Sequence, residues 1–331
     1  MTPKVVAVAG VTGAVGTEML KVLEARKFPV KKLVPLASSR SVGKKVTFAG
    51  EEIAVQELTK DSFKGVEVAL FSAGGPRSKE FAPSAVDAGA VVVDNSSAFR
   101  MVDDVPLVVP EVNAEDVKAH KGIIANPNCT TIIMLVALKP LYDVSKITRI
   151  IVSTYQSISG AGARALVELQ EQTRKLQAGE PFEPEILPYQ VAFNLFSHNT
   201  TIGDNGYCEE EMKMVNETRK MLHDDAIVVC PTCVRVPIPR AHSEAITIEQ
   251  ERKVTVDEAR AALAKAPGVE VIDDREANRF PMPTDVTGKD DVAVGRIRDD
   301  ISSDKGLALF CCGDQLLKGA ALNAVQIAEL L

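Results

Sequence analysis

The stretch that most constrains the fold is KVVAVAGVTGAVG, residues 4–16. A β-branched strand runs into a turn holding Gly10, Gly13 and Gly16, and a helical segment follows from Ala14 to Lys27. Glycines at such a strand-to-helix turn let backbone amides at the helix N-terminus face a pyrophosphate. The spacing is GxxGxxG rather than the commoner GxGxxG, and a glycine turn also serves purely conformational ends. The strand-turn-helix context favours a dinucleotide. The same rhythm continues through KKLVPLA, VEVALF, Pro76 to Ala88, AVVVD and GIIAN, which predicts a parallel sheet with crossover helices.

The end of the second strand bears on which dinucleotide binds. An acid about 20 residues after the glycines normally accepts from the adenine ribose 2'-hydroxyl. Here the sequence reads LASSRSVGK, with Ser38, Ser39 and Arg40 and no acid. Hydroxyls and a guanidinium match a 2'-phosphate, so NADP is expected over NAD, against the alternative of a solvated turn.

At 331 residues the chain exceeds one typical domain, and two are expected. A net charge of −7 without a basic stripe argues against nucleic acid or an anionic membrane as partner. The longest apolar run, Ile132 to Leu138, is far short of the ~20 residues that span a bilayer. MTPKVVAVAG enters a strand too early for a signal peptide, and six irregularly spaced cysteines do not form a disulfide framework. A cytoplasmic protein with reduced thiols is the expectation.

The pattern changes after NPNCTT, residues 126–131. Asn128 is a plausible N-cap and Pro127 stiffens the turn, so Cys129 falls in the first turn of an apolar helix, where the positive helix end favours the nucleophilic thiolate. A buried packing cysteine is the competing reading. A long strand KITRIIVSTYQS, a helix from Ala163 to Gln177 and alternating strands such as AIVVCPTCVRVPI and EAITIE predict a mixed α+β domain. The closing GDQLLKGAALNAVQIAEL repeats Leu317, Ala321, Ala324 and Ala328 at helical spacing.

Polar groups accompany the thiol. YQSISGAG supplies Gln156, CVRVPIPRAHSEA supplies Arg235, Arg240 and His242, and CEEEMKM supplies Glu209, Glu210, Glu211 and Lys213. His242, flanked by arginines, is the candidate acid/base; His120, His223 and the loop residue His198 suit surface or packing roles. DNSSAFR holds Ser96, Ser97 and Arg100, either an anion-binding set or a capped turn with an exposed arginine. CPTC, at Cys230 and Cys233, and the pair Cys311 and Cys312 read as packing, and no metal is expected. An activated thiol beside a hydride carrier suits an aldehyde: thiohemiacetal, hydride transfer, thioester, then cleavage by a nucleophile such as phosphate, or the reverse.

From the glycine turn through FSAGG, NSSAFR, NPNCTT, YQSISGAG, EEEMK, RVPIPRAHSE and VGRIR to the last helix, the chain resembles the aspartate-semialdehyde dehydrogenase family. The resemblance implies an α/β Rossmann-type cofactor domain, residues 1–128 plus 313–331, and an α+β catalytic and dimerisation domain with a mixed sheet, residues 129–312. It implies a homodimer that uses NADPH to convert L-aspartyl 4-phosphate into L-aspartate 4-semialdehyde and phosphate. By the same resemblance, Cys129 is the nucleophile, Gln156 orients the acyl intermediate and His242 is the acid/base. Arg235 holds the substrate carboxylate, Glu210 its amine, and Lys213 and Arg100 the phosphate, with Asn128 also among the substrate-binding residues. The cofactor falls to Gly10, Thr12, Gly13, Ala14, Val15, Gly16, Ser38, Ser39, Arg40, Ser72, Ala73, Gly74, Ser159, Gly160 and Asn323. Val11 stands where the family often has alanine, and the triple glutamate leaves the amine holder open by one residue. The alternatives are an N-acetyl-glutamyl-phosphate reductase and a non-catalytic NADP-binding protein.

Overall fold

The structure, a computed structural model, describes residues 2–331 and divides into two packed units. The first runs to Asn128 and is rejoined by Gly319–Leu331; the second is Cys129–Lys318. The return junction therefore lies beyond residue 312, because Asp314 is tied into the second unit by the Arg240 guanidinium (Nε to Oδ2, 2.6 Å) and the Gly288 amide (2.8 Å).

The first unit is built on a six-stranded, all-parallel sheet. Its strands are β1 (Lys4–Ala9), β2 (Val30–Ala37), β5 (Gln56–Glu57), β6 (Val68–Phe71), β7 (Val91–Asp94) and β8 (Ile123–Ala125), ordered β5-β2-β1-β6-β7-β8. Hydrophobic residues from Val6 to Ala9 and from Val68 to Phe71 are fully buried, as unbroken apolar runs in a sheet covered on both faces must be. The register pairs Ala9 with both Leu36 and Phe71, Phe71 with Asp94, and Asp94 with Ala125. The carboxyl ends are thereby aligned, where open α/β sheets bind ligands. A small hairpin, β3 (Lys45–Phe48) with β4 (Glu51–Ala54), turns through Ala49 and Gly50, both at positive φ.

The second unit holds a seven-stranded mixed sheet. Its strands are β9 (Ile147–Gln156), β10 (Phe196–Ser197), β11 (Val228–Arg235), β12 (His242–Gln250), β13 (Val269–Val271), β14 (Val292–Asp299) and β15 (Gly306–Gly313), ordered β10-β11-β9-β12-β15-β14-β13. Helix Cys129–Val144 packs on the inner face, and a Cβ on Gly313 would meet Ile133 Cγ1 at 2.8 Å. Strand alternation then sorts the side chains. Ile150, Val152, Thr154 and Gln156 point inward, while Ile151 and Tyr155 point outward and are exposed.

The closing stretch departs from the expected single helix. Asp314 Oδ1 accepts from the amides of Leu316 and Leu317, a π-helical turn spans Leu317–Ala321, and only Leu322–Glu329 is α-helical.

Candidate active site

Register brings three inner-face side chains to one end of the second sheet. Arg235, closing β11, pairs across with Gln156, closing β9, and His242 opens the antiparallel neighbour β12. Cys129, the first residue of its helix, places Sγ 3.4 Å from His242 Nε2. On the far side of the ring, Nδ1 accepts from the Ser157 amide at 3.0 Å and lies 3.1 Å from the Ser157 hydroxyl. An Nδ1 that accepts leaves the neutral ring's proton on Nε2, facing the sulfur. Burial, assisted by the charge of Arg235, pushes the His242 pKa down to about 3, so the ring is neutral at ordinary pH. Two residues on, Glu244 is fully buried with neither carboxylate oxygen partnered, and burial holds its pKa well above the usual range. That burial favours its neutral, protonated form over a carboxylate.

Around this pair runs a connected polar network. Gln156 Nε2 donates to Glu210 Oε1 at 3.1 Å, and its own Oε1 accepts from Thr154 Oγ1 at 3.2 Å. Lys213 Nζ donates to Glu210 Oε2 at 2.8 Å. Glu209–Glu211 open the helix Glu209–Leu222, and their directions separate them: Glu210 is buried in the network, whereas Glu211 accepts from the amides of Cys208 and Cys233. Arg235 donates from Nη1 to the Ser157 carbonyl at 3.2 Å, and its Nη2 lies 2.7 Å from His198 Nε2. His198, expected in a surface or packing role, stands in this network. It is half-buried, its pKa is lowered to about 4 by desolvation, and its Nδ1 lies 3.3 Å from Thr200 Oγ1. That hydroxyl in turn accepts from the Glu210 amide. A Cβ on Gly160 would come within 3.6 Å of His242 Nε2 and Arg235 Nη1, so this glycine leaves room beside both. The Ser159 hydroxyl donates to Pro239 O and accepts from Gln315.

In the first unit, a cavity at the strand ends is lined by Gly10, Thr12, Gly13, Ser38, Arg40, Ser72, Ala73 and Arg77, with no acidic side chain among the lining residues. Gly10 has φ +86°, and a Cβ there would stand 2.2 Å from Ser72 O; one on Gly16 would stand 2.2 Å from Gly10 O. The turn is thus closed on itself with bare backbone facing the cavity, the form that admits a pyrophosphate. Ser39 and Gly74 adjoin the lining in sequence, and Ala14 and Val15 begin the helix behind it. Asn323 is fully buried, its amide donating to Val108 O and Asn126 Oδ1. Arg100 is buried rather than exposed, giving Nε to Asn126 O and Nη2 to Asn95 O, both at 2.9 Å. Ser96 spends its hydroxyl on Asp94, as a capped turn does.

Comparison with known proteins decides the family. Residues 5–120 match the family described as semialdehyde dehydrogenase, NAD binding domain, and residues 138–318 the semialdehyde dehydrogenase dimerisation domain. Aspartate-semialdehyde dehydrogenase of a Synechocystis strain is 57% identical over 100% of this chain and 98% of its own. The chain belongs to the aspartate-semialdehyde dehydrogenase family. Among solved structures, aspartate semialdehyde dehydrogenase II of Vibrio cholerae, complexed with ASA, superposes with TM-score 0.97 at 48% identity, covering 99% of this chain and 98% of that one. The Candida albicans aspartate semialdehyde dehydrogenase with NADP gives TM-score 0.77 at 25% identity over 99% and 98%.

Within this family frame, Ser157, Thr200 and Arg77 escaped the sequence reading, and His198 was read only as a surface or packing residue. Ser157 acts through its amide, which no residue type announces. His198 and Thr200 lie in an irregular stretch after Phe196–Ser197, and only the oddity of a histidine shortly before the acidic helix could have flagged them. Cys230 and Cys233, three apart on β11, point to opposite faces and cannot share a ligand. Among the described residues no helix is long and apolar enough to cross a membrane.

Proposed function

We propose that this chain, as a homodimer, uses NADPH to reduce L-aspartyl 4-phosphate to L-aspartate 4-semialdehyde with release of phosphate. The observation that carries the reading is the Cys129–His242 pair, with the imidazole neutral, its Nδ1 pinned by the Ser157 amide and its Nε2–H turned to the sulfur.

Cys129 Sγ, as thiolate at a helix start, attacks the acyl carbon; the bond to the phosphate oxygen breaks, phosphate departs, and a thioester forms on the sulfur. Bound NADPH supplies the hydride that reduces this thioester. The His242 Nε2–H donates to the oxygen that then carries negative charge, and collapse breaks the carbon–sulfur bond, releasing aldehyde and returning the thiolate. Arg235 takes the substrate carboxylate in a bidentate grip, and buried Glu210 takes the ammonium group. Gln156, held between Thr154 and Glu210, steadies the acyl oxygen. Lys213 and Arg100 hold the phosphate. The bare glycine turn suits the pyrophosphate, and Ser38, Ser39 and Arg40, joined by Arg77 in a cavity lined without acids, suit the 2'-phosphate that distinguishes NADP.

The test runs the reaction backwards: purified protein with NADP and L-aspartate semialdehyde, with and without inorganic phosphate, beside Cys129→Ala. Phosphate-dependent formation of NADPH that vanishes in the variant is expected. Turnover with N-acetyl-glutamate semialdehyde instead would overturn the substrate, and turnover surviving in Cys129→Ala the mechanism.

A further inference from the structure

Resting on that reading of Arg235, we infer that His198 is a positioning residue: its neutral Nε2 holds the Arg235 guanidinium in the orientation that receives the substrate carboxylate. Arg235 is a charged side chain taken almost wholly out of water at the end of β11, and such a group is fixed only by what accepts from it. Two acceptors are in place, Ser157 O on Nη1 at 3.2 Å and His198 Nε2 on Nη2 at 2.7 Å, and Nε has none. The guanidinium plane is set by one backbone carbonyl and one imidazole.

An imidazole suits this place because it accepts without bringing a charge. A carboxylate there would pair with Arg235 and compete with the incoming carboxylate; a neutral ring nitrogen leaves the positive charge for the substrate. Burial favours a neutral His198 and outweighs the opposing pull of the Glu210 carboxylate, with the adjacent Arg235 charge acting in the same direction as burial. The far ring nitrogen meets Thr200 Oγ1, which also accepts from the amide of Glu210. The segment His198–Thr200 therefore spans the two groups that receive the opposite charges of one α-amino acid end, and sets their spacing.

The experiment measures KM and kcat for L-aspartate semialdehyde, with NADP and phosphate saturating, in His198→Leu, His198→Gln, Arg235→Ala and His198→Leu/Arg235→Ala, with thermal midpoints for all. Loss of a buried acceptor from a charged donor should raise KM about tenfold or more in His198→Leu while kcat stays within about threefold. Gln, whose amide oxygen accepts from Nη2, should restore KM to within about threefold of wild type. The double variant should be no worse than Arg235→Ala, since both act through one group. Should the Leu variant not fold, His198→Asn takes its place, being polar but too short to reach. An unchanged KM in the unpartnered variant, or a KM raised equally by Gln, overturns the inference while Arg235→Ala still supports the reading. An unchanged KM in Arg235→Ala overturns the reading itself.

Discussion

His242 receives all its polar contacts at its two ring nitrogens. With Nδ1 accepting from a backbone amide, the tautomer is set by main chain rather than by a neighbouring acid, and the buried ring stays neutral. A neutral Nε2–H can donate to a developing oxyanion but cannot take up a proton easily in this environment, so under the proposed mechanism its contribution is directional donation. Replacing His242 with Asn, which is shorter and cannot reach both Ser157 and the sulfur, should lower turnover by about 10²- to 10⁴-fold. The protein should fold and bind NADPH as before, checked by steady-state assay beside a fluorescence titration of the cofactor. A rate within threefold of wild type would remove the imidazole from the chemistry.

Among elements, the first sheet was legible because parallel strands buried on both faces read as apolar runs; β1, β6, β7 and β8 fall within runs the sequence marked, and β2 begins one residue before its run. The hairpin β3–β4 and the strands β13, β14 and β15 were not singled out. The first is short and polar on its surface, and β13, just after Pro267–Gly268, is only three residues long. The site divided in the same way. Groups standing in compact motifs, Cys129, Gln156, Glu210, Arg235 and His242, were marked by their motifs and by the family resemblance those motifs carry, whereas His198 meets Arg235 only through the register that ends β11 beside its loop. The glycine turn joins the two levels. At Gly10 the backbone has φ +86° and passes so close to Ser72 that a single methyl would stand 2.2 Å from its carbonyl oxygen. Gly10→Ala must therefore displace β1 from the β6 end or open the turn. NADPH affinity, followed by fluorescence, should fall at least about tenfold, and the thermal midpoint should fall with it. Gly50→Ala, also at positive φ but with open space around it, should cost only the conformational strain and leave cofactor affinity unchanged.

At the scale of the whole molecule, the seven-stranded sheet carries the candidate site on one face and several exposed apolar side chains on the other. Tyr155 and Gln156 are neighbours on β9, yet Gln156 is 1% exposed within the polar network and Tyr155 is 36% exposed on the outer face. Ile151 at 38% and Val228 at 52% exposure share that outer face, and the Tyr155 and Phe310 rings lie 6.4 Å apart on it. A solvated sheet face normally alternates to polar residues, so this one calls for cover. The dimerisation family match spans 138–318, which includes all of these positions. A second copy laid on this face would also clamp β9, β11 and β12, the three strands whose inner ends hold Gln156, Arg235 and His242. Tyr155→Arg puts a bulky charge into that contact. Light scattering should show the parent protein as a dimer and this variant as a monomer. Turnover per protomer should drop in the variant even though no residue of the inner face has changed, because the strand ends have lost their backing. Lys253→Ala, a surface change on the loop after β12, should leave both mass and rate as they were. A Tyr155→Arg protein that stays dimeric would place the subunit contact elsewhere.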